Sequence, residues 1–392
     1  MFAILLGIDL LSFYFQGVAM RQANPFTPSA GVEPPVLIGR EDALYDFEES
    51  LLAGVGAPGR LMRITGPRGS GKTVLLNELG EIARRHGWNV IDVTVHTSWI
   101  DDLCRHLMRE DQFDASLEVD LKVVHASIKK KNNAEELDIR EALDARVTPL
   151  TKKGKGLLVT VDEVQNADRE DITRIAIAVQ HLMREKKNIA FAFAGITSGV
   201  NSLLSEDGPT FLRRAYLEEL SSIPLDAVAD SLGKTMRKGG LEIEDKELKR
   251  AAEATAGYAY LVQLVGYNIW RAVAMKRGEL VATSEDVQVG IDRAMGEYER
   301  AVIETAIAGI GKNALGYLLA MAQDATASSS TADIAARMGV PTSSLSSARA
   351  QLIDRQVIES PAHGYVAFSI PFAREFLNKN RSRLLARYGI ER

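Results

Sequence analysis

Residues Thr65 to Thr73 read TGPRGSGKT, and what this stretch is built to hold decides how the rest of the chain is read. Gly66, Pro67, Arg68, Gly69, Ser70, Gly71, Lys72 and Thr73 fit the pattern GxxxxGK[ST]. Glycines at these positions let successive backbone N–H groups turn inward toward an anion. A helix opening near Lys72 adds the positive end of its dipole. The Lys72 ammonium reaches β- and γ-phosphates, and the Thr73 hydroxyl suits Mg²⁺. A Gly-rich turn can match the pattern by chance, so context decides. Here the run RLMRIT precedes the loop, and Val74, Leu75, Leu79, Ile82 and Ala83 follow as a helical stripe that Gly87 closes. Strand, loop and amphipathic helix are the setting a phosphate loop requires.

The next informative run is Leu157 to Glu163, LLVTVDE, an apolar strand ending in two acids. Carboxylates at the C-terminal end of a parallel strand face the ligand crevice. Asp162 is therefore the candidate magnesium ligand beside Thr73, and Glu163 the candidate that orients and polarises an attacking water. The alternative is a strand that simply emerges into solvent. After NIAFAFAG, Thr197 or Ser198 stands where a polar group would meet the γ-phosphate; either is equally suited to cap the following helix. In FLRRAYLEEL, Arg213 and Arg214 are candidates for a guanidinium placed against developing charge, often supplied by a neighbouring subunit. Paired arginines also occur on solvated helix faces.

Strand-like runs (RLMRIT, NVIDVTV, GLLVTVDE, NIAFAFAG) alternate with helical ones. The expected fold is α/β, a doubly wound parallel-sheet core over residues 35–224. The helix ahead of it places Leu44, Phe47, Leu51 and Leu52 at helical spacing. Residues 225–311 read as helices only, broken at GKT, KGGLEIED and KRGEL. Residues 312–392 give helix, Ser/Ala-rich loop, helix, tight turn, a third helix over Ser343–Arg355, two strand-like pieces and a closing helix, the order of a winged helix-turn-helix.

Composition is that of an ordinary globular chain, 46% hydrophobic and 25% charged over 392 residues. A single cysteine, Cys104, excludes an intramolecular disulfide and fits a reducing, cytoplasmic setting. The net charge of −5 gives no global signal for nucleic acid, yet the last segment holds ten Lys or Arg against six Asp or Glu. Residues 1–34 are expected to be a leader and an extended arm. The first nineteen carry one charge, Asp9, and no basic start, which argues against a secretory signal. They read as a misassigned start or a tag-derived leader; the alternative is an anchor or partner helix.

Taken together, IGRE, TGPRGSGKT, LLVTVDE and the FLRRAYLEEL arginines resemble the AAA+ ATPases. The helical segment and the terminal module are similar to those of the initiator-like clade, the origin-recognition proteins and the archaeal and bacterial ATPases grouped with them. The resemblance spans about residues 35–390. It implies ATP and Mg²⁺ as ligands, with Ile38, Gly39 and Arg40 near the adenine. It also implies a helical lid that closes over the nucleotide, and subunits that share sites in a homo-oligomer. One departure stands out: initiator lids carry an arginine toward the γ-phosphate. The matching region here holds Tyr258, Tyr260 and Gln263, with no arginine before Arg271.

In the terminal module, Leu345, Ala348 and Leu352 form an apolar stripe that leaves Ser343, Ser346, Ser347, Arg349 and Gln351 available. Lys379, Arg383 and Arg387 follow at four-residue spacing on the closing helix, suited to phosphates or to plain solvation. The two readings of this module are double-stranded DNA binding and protein docking.

Overall fold

The computed structural model describes residues 23–29, 38–108, 138–204, 210–276 and 280–390. The leader 1–19 and most of the arm 21–36 lie outside these residues. Two compact units result: Gly39–Ser222 with Ala301–Arg392, and Ile223–Arg300 with the chain ahead of Gly39.

The first unit is built on a five-stranded parallel sheet. Its strands are β1 (Leu61–Thr65), β2 (Asn89–Thr94), β3 (Leu157–Asp162), β4 (Ile189–Gly195) and β5 (Tyr216–Glu219), in the order β2-β3-β4-β1-β5. Around it lie α1 (Glu41–Ala53), α2 (Lys72–Arg85), α3 (Trp99–Leu107), α4 (Ile139–Lys152), α5 (Arg169–Arg184) and α6 (Thr197–Leu203). The alternation in β4 explains how both faces are covered. Phe191 and Phe193 point to one side, where they join Val159, Val161 and residues of α3, α4 and α5. Ala190, Ala192 and Ala194 point to the other, against Leu75, Leu79 and Ile82 of α2 and Phe47 and Leu51 of α1. Each large side chain buried this way contributes about 1.5–3 kcal/mol.

The C-terminal end of α1 is tied down by a side chain. Arg60, buried and drawn down to a pKa of about 10 by that burial, donates to the carbonyls of Ser50 (2.9 Å) and Leu51 (2.7 Å). It thereby satisfies the last turn of α1 while stacking over Trp88. Leu52, expected with the apolar stripe of α1, is 70% exposed: it lies about 100° round the helix from Leu51, which is buried in the core.

The second unit contains α7 (Leu225–Lys238), α8 (Asp245–Glu253), α9 (Ala259–Ala274) and α10 (Ser284–Tyr298). The break expected at Gly233-Lys234-Thr235 does not occur: α7 runs through it. Gly233 serves packing instead, since a Cβ there would stand 2.9 Å from Leu248 of α8. The arm residues join this unit. Phe26 is buried against Gly266, Asn24 donates to the Tyr267 carbonyl, and the Thr27 N–H donates to Gln263. Tyr258 caps α9 and meets Tyr298 edge-on at 5.9 Å. A capping box, Thr283 with Asp286, starts α10.

The terminal segment comprises α11 (Lys312–Met321), β6 (Ser328–Ser330), α12 (Thr331–Met338), a 3₁₀ turn (Thr342–Leu345), α13 (Ser346–Asp354), β7 (Ile358–Glu359), β8 (Tyr365–Phe368), α14 (Ala373–Lys379) and α15 (Arg381–Tyr388). Three elements differ from expectation. The helix expected over Ser343–Arg355 begins at Ser346. The Ser-rich loop supplies β6, paired antiparallel with β8. The closing helix is two, interrupted at Asn380.

Gly290 of α10 lies against the backbone of α9: a Cβ there would be 2.7 Å from the Ile269 Cα and N. Backbone cannot give way as a flexible side chain can. Gly290→Ala is therefore expected to destabilise the helical unit by about 1–3 kcal/mol. Denaturant unfolding of the two proteins measures this, and identical midpoints would show a looser crossing.

Candidate active site

Sheet register brings three chain segments to one edge. Thr65 at the end of β1 pairs with Gly195 at the end of β4, and Val161 of β3 pairs with Phe193. The loop after β1, the acids closing β3 and the turn after β4 thus converge at the C-terminal edge, where ligands of open α/β sheets bind.

The loop itself is shaped by its glycines. Gly69 and Gly71 adopt φ of 76° and 95°, left-handed values that glycine takes without strain. At Gly66 the need is space: a Cβ would stand 2.7 Å from both the Leu220 carbonyl and Ser70 Oγ. Pro67, Arg68 and Gly69 form its exposed crest. Helix α2 starts at Lys72 with Gly71 as N-cap and no capping side chain. Its first N–H groups are therefore free to face an anion.

Lys72 is only 6% exposed. Its ammonium donates to the carbonyls of Gly66 (3.0 Å) and Pro67 (2.8 Å). Burial lowers its pKa, the carboxylates of Glu163 and Asp162 pull it back up, and Arg68 adds a smaller downward push. Thr73 Oγ1 donates to Asp162 Oδ2 at 2.5 Å, and Asp162 Oδ1 accepts the Glu163 N–H at 2.8 Å. Glu163 turns off the strand in a left-handed conformation, φ 56° and ψ 37°. The hydroxyl–carboxylate pair is a hard-oxygen donor set of the kind Mg²⁺ takes. Ser70 Oγ is buried without a hydrogen-bond partner inside the loop. This orphaned hydroxyl and the uncapped helix start fit a polyphosphate.

Sequence reasoning misses Gln165. Its Nε2 donates to a Glu163 carboxylate oxygen, and its Oε1 accepts the Ile196 N–H at 3.1 Å. The available signal was an amide two residues past the acid, with glycines at 195 and 199. Those glycines leave room for it.

The remaining candidates are distributed as follows. Thr197 and Ser198 open α6 directly after β4, half-buried and exposed respectively. Neither is the cap, because Ile196 holds that position, so the capping alternative is set aside. Arg213 and Arg214 are exposed on a 3₁₀ turn leading into the edge strand β5. Arg40 donates to the carbonyls of Gly39 and, at 3.2 Å, Ser221 just past β5; half-buried Ile38 precedes them. Burial lowers the Arg40 pKa, with Glu218 and Glu41 opposing it.

In the terminal segment Ser343, Ser346 and Ser347 are exposed, and Arg349 donates to Ser360 Oγ on the hairpin side. Lys379 ends α14, whereas Arg383 and Arg387 lie on α15, so the expected basic stripe is divided at Asn380. Arg383 is paired with Glu304 at 2.6 Å. With Arg387 it lines a small pocket that also includes Ile307 and Tyr388.

Comparison with known proteins adds to this geometry. The AAA ATPase domain family matches residues 36–191, and a domain of unknown function, DUF8462, matches residues 301–377. No curated protein sequence matches the chain. Among solved structures, the ORC2 protein of Aeropyrum pernix in its ADPNP–ADP complexes superposes with a TM-score of 0.55 at 15% identity, covering 92% of this chain and 98% of its own. Cdc6p of Pyrobaculum aerophilum gives 0.47 at 16% identity, covering 92% and 97%. The Aeropyrum pernix ORC1 protein in complex with DNA gives 0.46 at 17%, covering 90% and 96%. The ORC2 likeness establishes a shared fold. Phosphate loop, acidic strand end and the strand order β2-β3-β4-β1-β5 all lie in or beside the segment, residues 36–191, that matches the AAA ATPase domain family, and the chain shares its fold with the ORC2 protein.

Proposed function

We propose that the chain is an Mg²⁺-dependent, ATP-hydrolysing switch whose nucleotide state governs the terminal module, residues 312–392, and that this module contacts duplex DNA. The observation that carries the hydrolytic half is the convergence of Lys72, Thr73, Asp162 and Glu163 on one sheet edge. In this reading the backbone N–H groups of Gly66 to Thr73 cradle the phosphates, and Lys72 exchanges its two carbonyl partners for β- and γ-phosphate oxygens. Thr73 and Asp162 would hold Mg²⁺, which supplies charge neutralisation on those oxygens. Glu163 orients the attacking water and takes its proton. Thr197 or Ser198 offers a hydroxyl near the γ-phosphate. Arg213 and Arg214, exposed beside the edge strand, serve the site of a neighbouring copy in a homo-oligomer. Ile38, Gly39 and Arg40 flank the adenine. The ORC2 relative of shared fold was solved with ADPNP and ADP, which supports a nucleotide ligand.

The DNA half rests on the order α11, β6, α12, α13, β7, β8, which supports the winged helix-turn-helix reading. The exposed hydroxyls of Ser343, Ser346 and Ser347 can bond phosphates or either base pair. Arg387, exposed on α15, adds positive charge, and so does Lys379 at the end of α14. The expected mode is backbone contact with little sequence choice.

A second reading, protein docking, is favoured by one specific observation. Arg337, Arg374 and Arg381 donate to main-chain carbonyls within the module, Arg355 donates to the Ala308 carbonyl just ahead of it, and Arg383 is paired with Glu304. Much of the basic surplus is thus engaged in holding the module together.

Removing the phosphate-seeking cation with Lys72→Ala is expected to cut ATP turnover about 100-fold or more, by the scale of lost transition-state stabilisers. Glu163→Gln should bind labelled ATP normally and fail to hydrolyse it; turnover at the normal rate would refute the role of Glu163. For the module, fluorescence anisotropy with duplex DNA at several salt concentrations should show log affinity falling with log salt at a slope of about −2 to −3, as for two or three phosphate contacts. Absence of binding at low salt, with ATPase activity intact, would leave protein docking as the reading.

A further inference from the structure

We infer that Gln165 is a positioning residue for Glu163, an amide strut that fixes the water-orienting carboxylate to the turn after β4. The inference rests on the reading of Glu163 given above. Its basis is the two-ended bonding of a single side chain. Nε2 donates to the Glu163 carboxylate while Oε1 accepts the Ile196 N–H at 3.1 Å. These partners leave the amide one orientation. Turning it over would set its NH₂ against the Ile196 N–H and its oxygen against the carboxylate, donor to donor and acceptor to acceptor.

The surroundings are cut to this side chain. A Cβ at Gly199 would stand 2.3 Å from Gln165 Cβ, and one at Gly195 would stand 2.7 Å from Gln165 Oε1. Neither glycine has positive φ, so their value lies in space. A glycine inside α6 is otherwise unfavourable for the backbone. The strut therefore links Glu163, which leaves β3 in a left-handed turn, to the segment that begins Thr197 and Ser198. One carboxylate oxygen is bonded to Gln165. The other remains for water, and the plane of the carboxylate is set by the strut. A shift at the end of β4 is transmitted to Glu163 through it.

The test uses the full chain and measures kcat, KM and the affinity for a fluorescent ATP analogue. Gln165→Met keeps the length and loses both bonds; Gln165→Glu keeps the acceptor for Ile196 and loses the donor to Glu163. Gly199→Ala displaces Gln165 without altering it. All three are expected to lower kcat about 10- to 100-fold, the scale of a misplaced reacting group. KM and analogue affinity should stay within about twofold. Placed in Glu163→Gln, Gln165→Met should leave analogue affinity within about twofold, because the strut acts only through the carboxylate.

An unchanged kcat in Gln165→Met would overturn the inference. So would a parallel loss of nucleotide affinity, in the wild-type or the Glu163→Gln background, which marks a merely structural role. Normal turnover by Glu163→Gln alone would overturn the reading of Glu163 and the strut with it. An inert Gln165→Met beside an inactive Glu163→Gln would remove the strut only.

Discussion

A buried ammonium at the start of a helix is an unfavourable arrangement, because desolvation and the helix dipole both oppose positive charge there. Lys72 is in that position: nearly inaccessible, at the first residue of α2, with its pKa lowered by burial. Much of the nucleotide edge is explained by what offsets this cost. Two loop carbonyls accept its protons, which requires the loop to fold back on itself through left-handed Gly69 and Gly71. Two carboxylates lie close enough to favour its charge, which requires β3 to end at Asp162 and turn at Glu163. A polyphosphate completes the same electrostatics more fully than carbonyls do, and this is why the arrangement reads as a binding site.

Features that depend on strong local chemistry were legible in the sequence. The phosphate loop needs particular residues at fixed spacing. The runs LLVTVD and IAFAFAG are apolar on both faces, as central parallel strands must be. Features decided by neighbours were less legible. β5 is four residues with two acids, half-exposed at the sheet edge, and its sequence resembles a helix face as readily as a strand. β6 is Ser-Ser-Ser, which carries no hydrophobic pattern and is held only by its pairing with β8. Gly233 looked like a helix break because glycine usually is one; a leucine from the next helix gives it a packing role. Gln165 was illegible for a similar reason, since its bonds to residues 163 and 196 exist only once the sheet is formed.

The terminal module shows how charge counted along a sequence differs from charge displayed on a surface. Ten basic residues suggest a polyanion partner. In the fold, several guanidinium groups donate to main-chain carbonyls: Arg337 on Ala320 and Arg381 on Leu319 at the end of α11, and Arg374 on Ala325 and Thr326 in the loop that follows. Their charge persists, but their direction is set by the fold. The outer face of residues 342–354 is made largely of hydroxyls.

The bonds from Asn24 and Thr27 to α9 span 243 and 236 positions of the chain. Helices α7 to α10 can assemble from contacts among themselves, whereas this segment must wait for a residue made much later. Closing so wide a loop is entropically costly, although the cost grows only slowly with length. The segment around Phe26 is in this sense a tethered ligand of the helical unit, held at an effective concentration set by the chain between them.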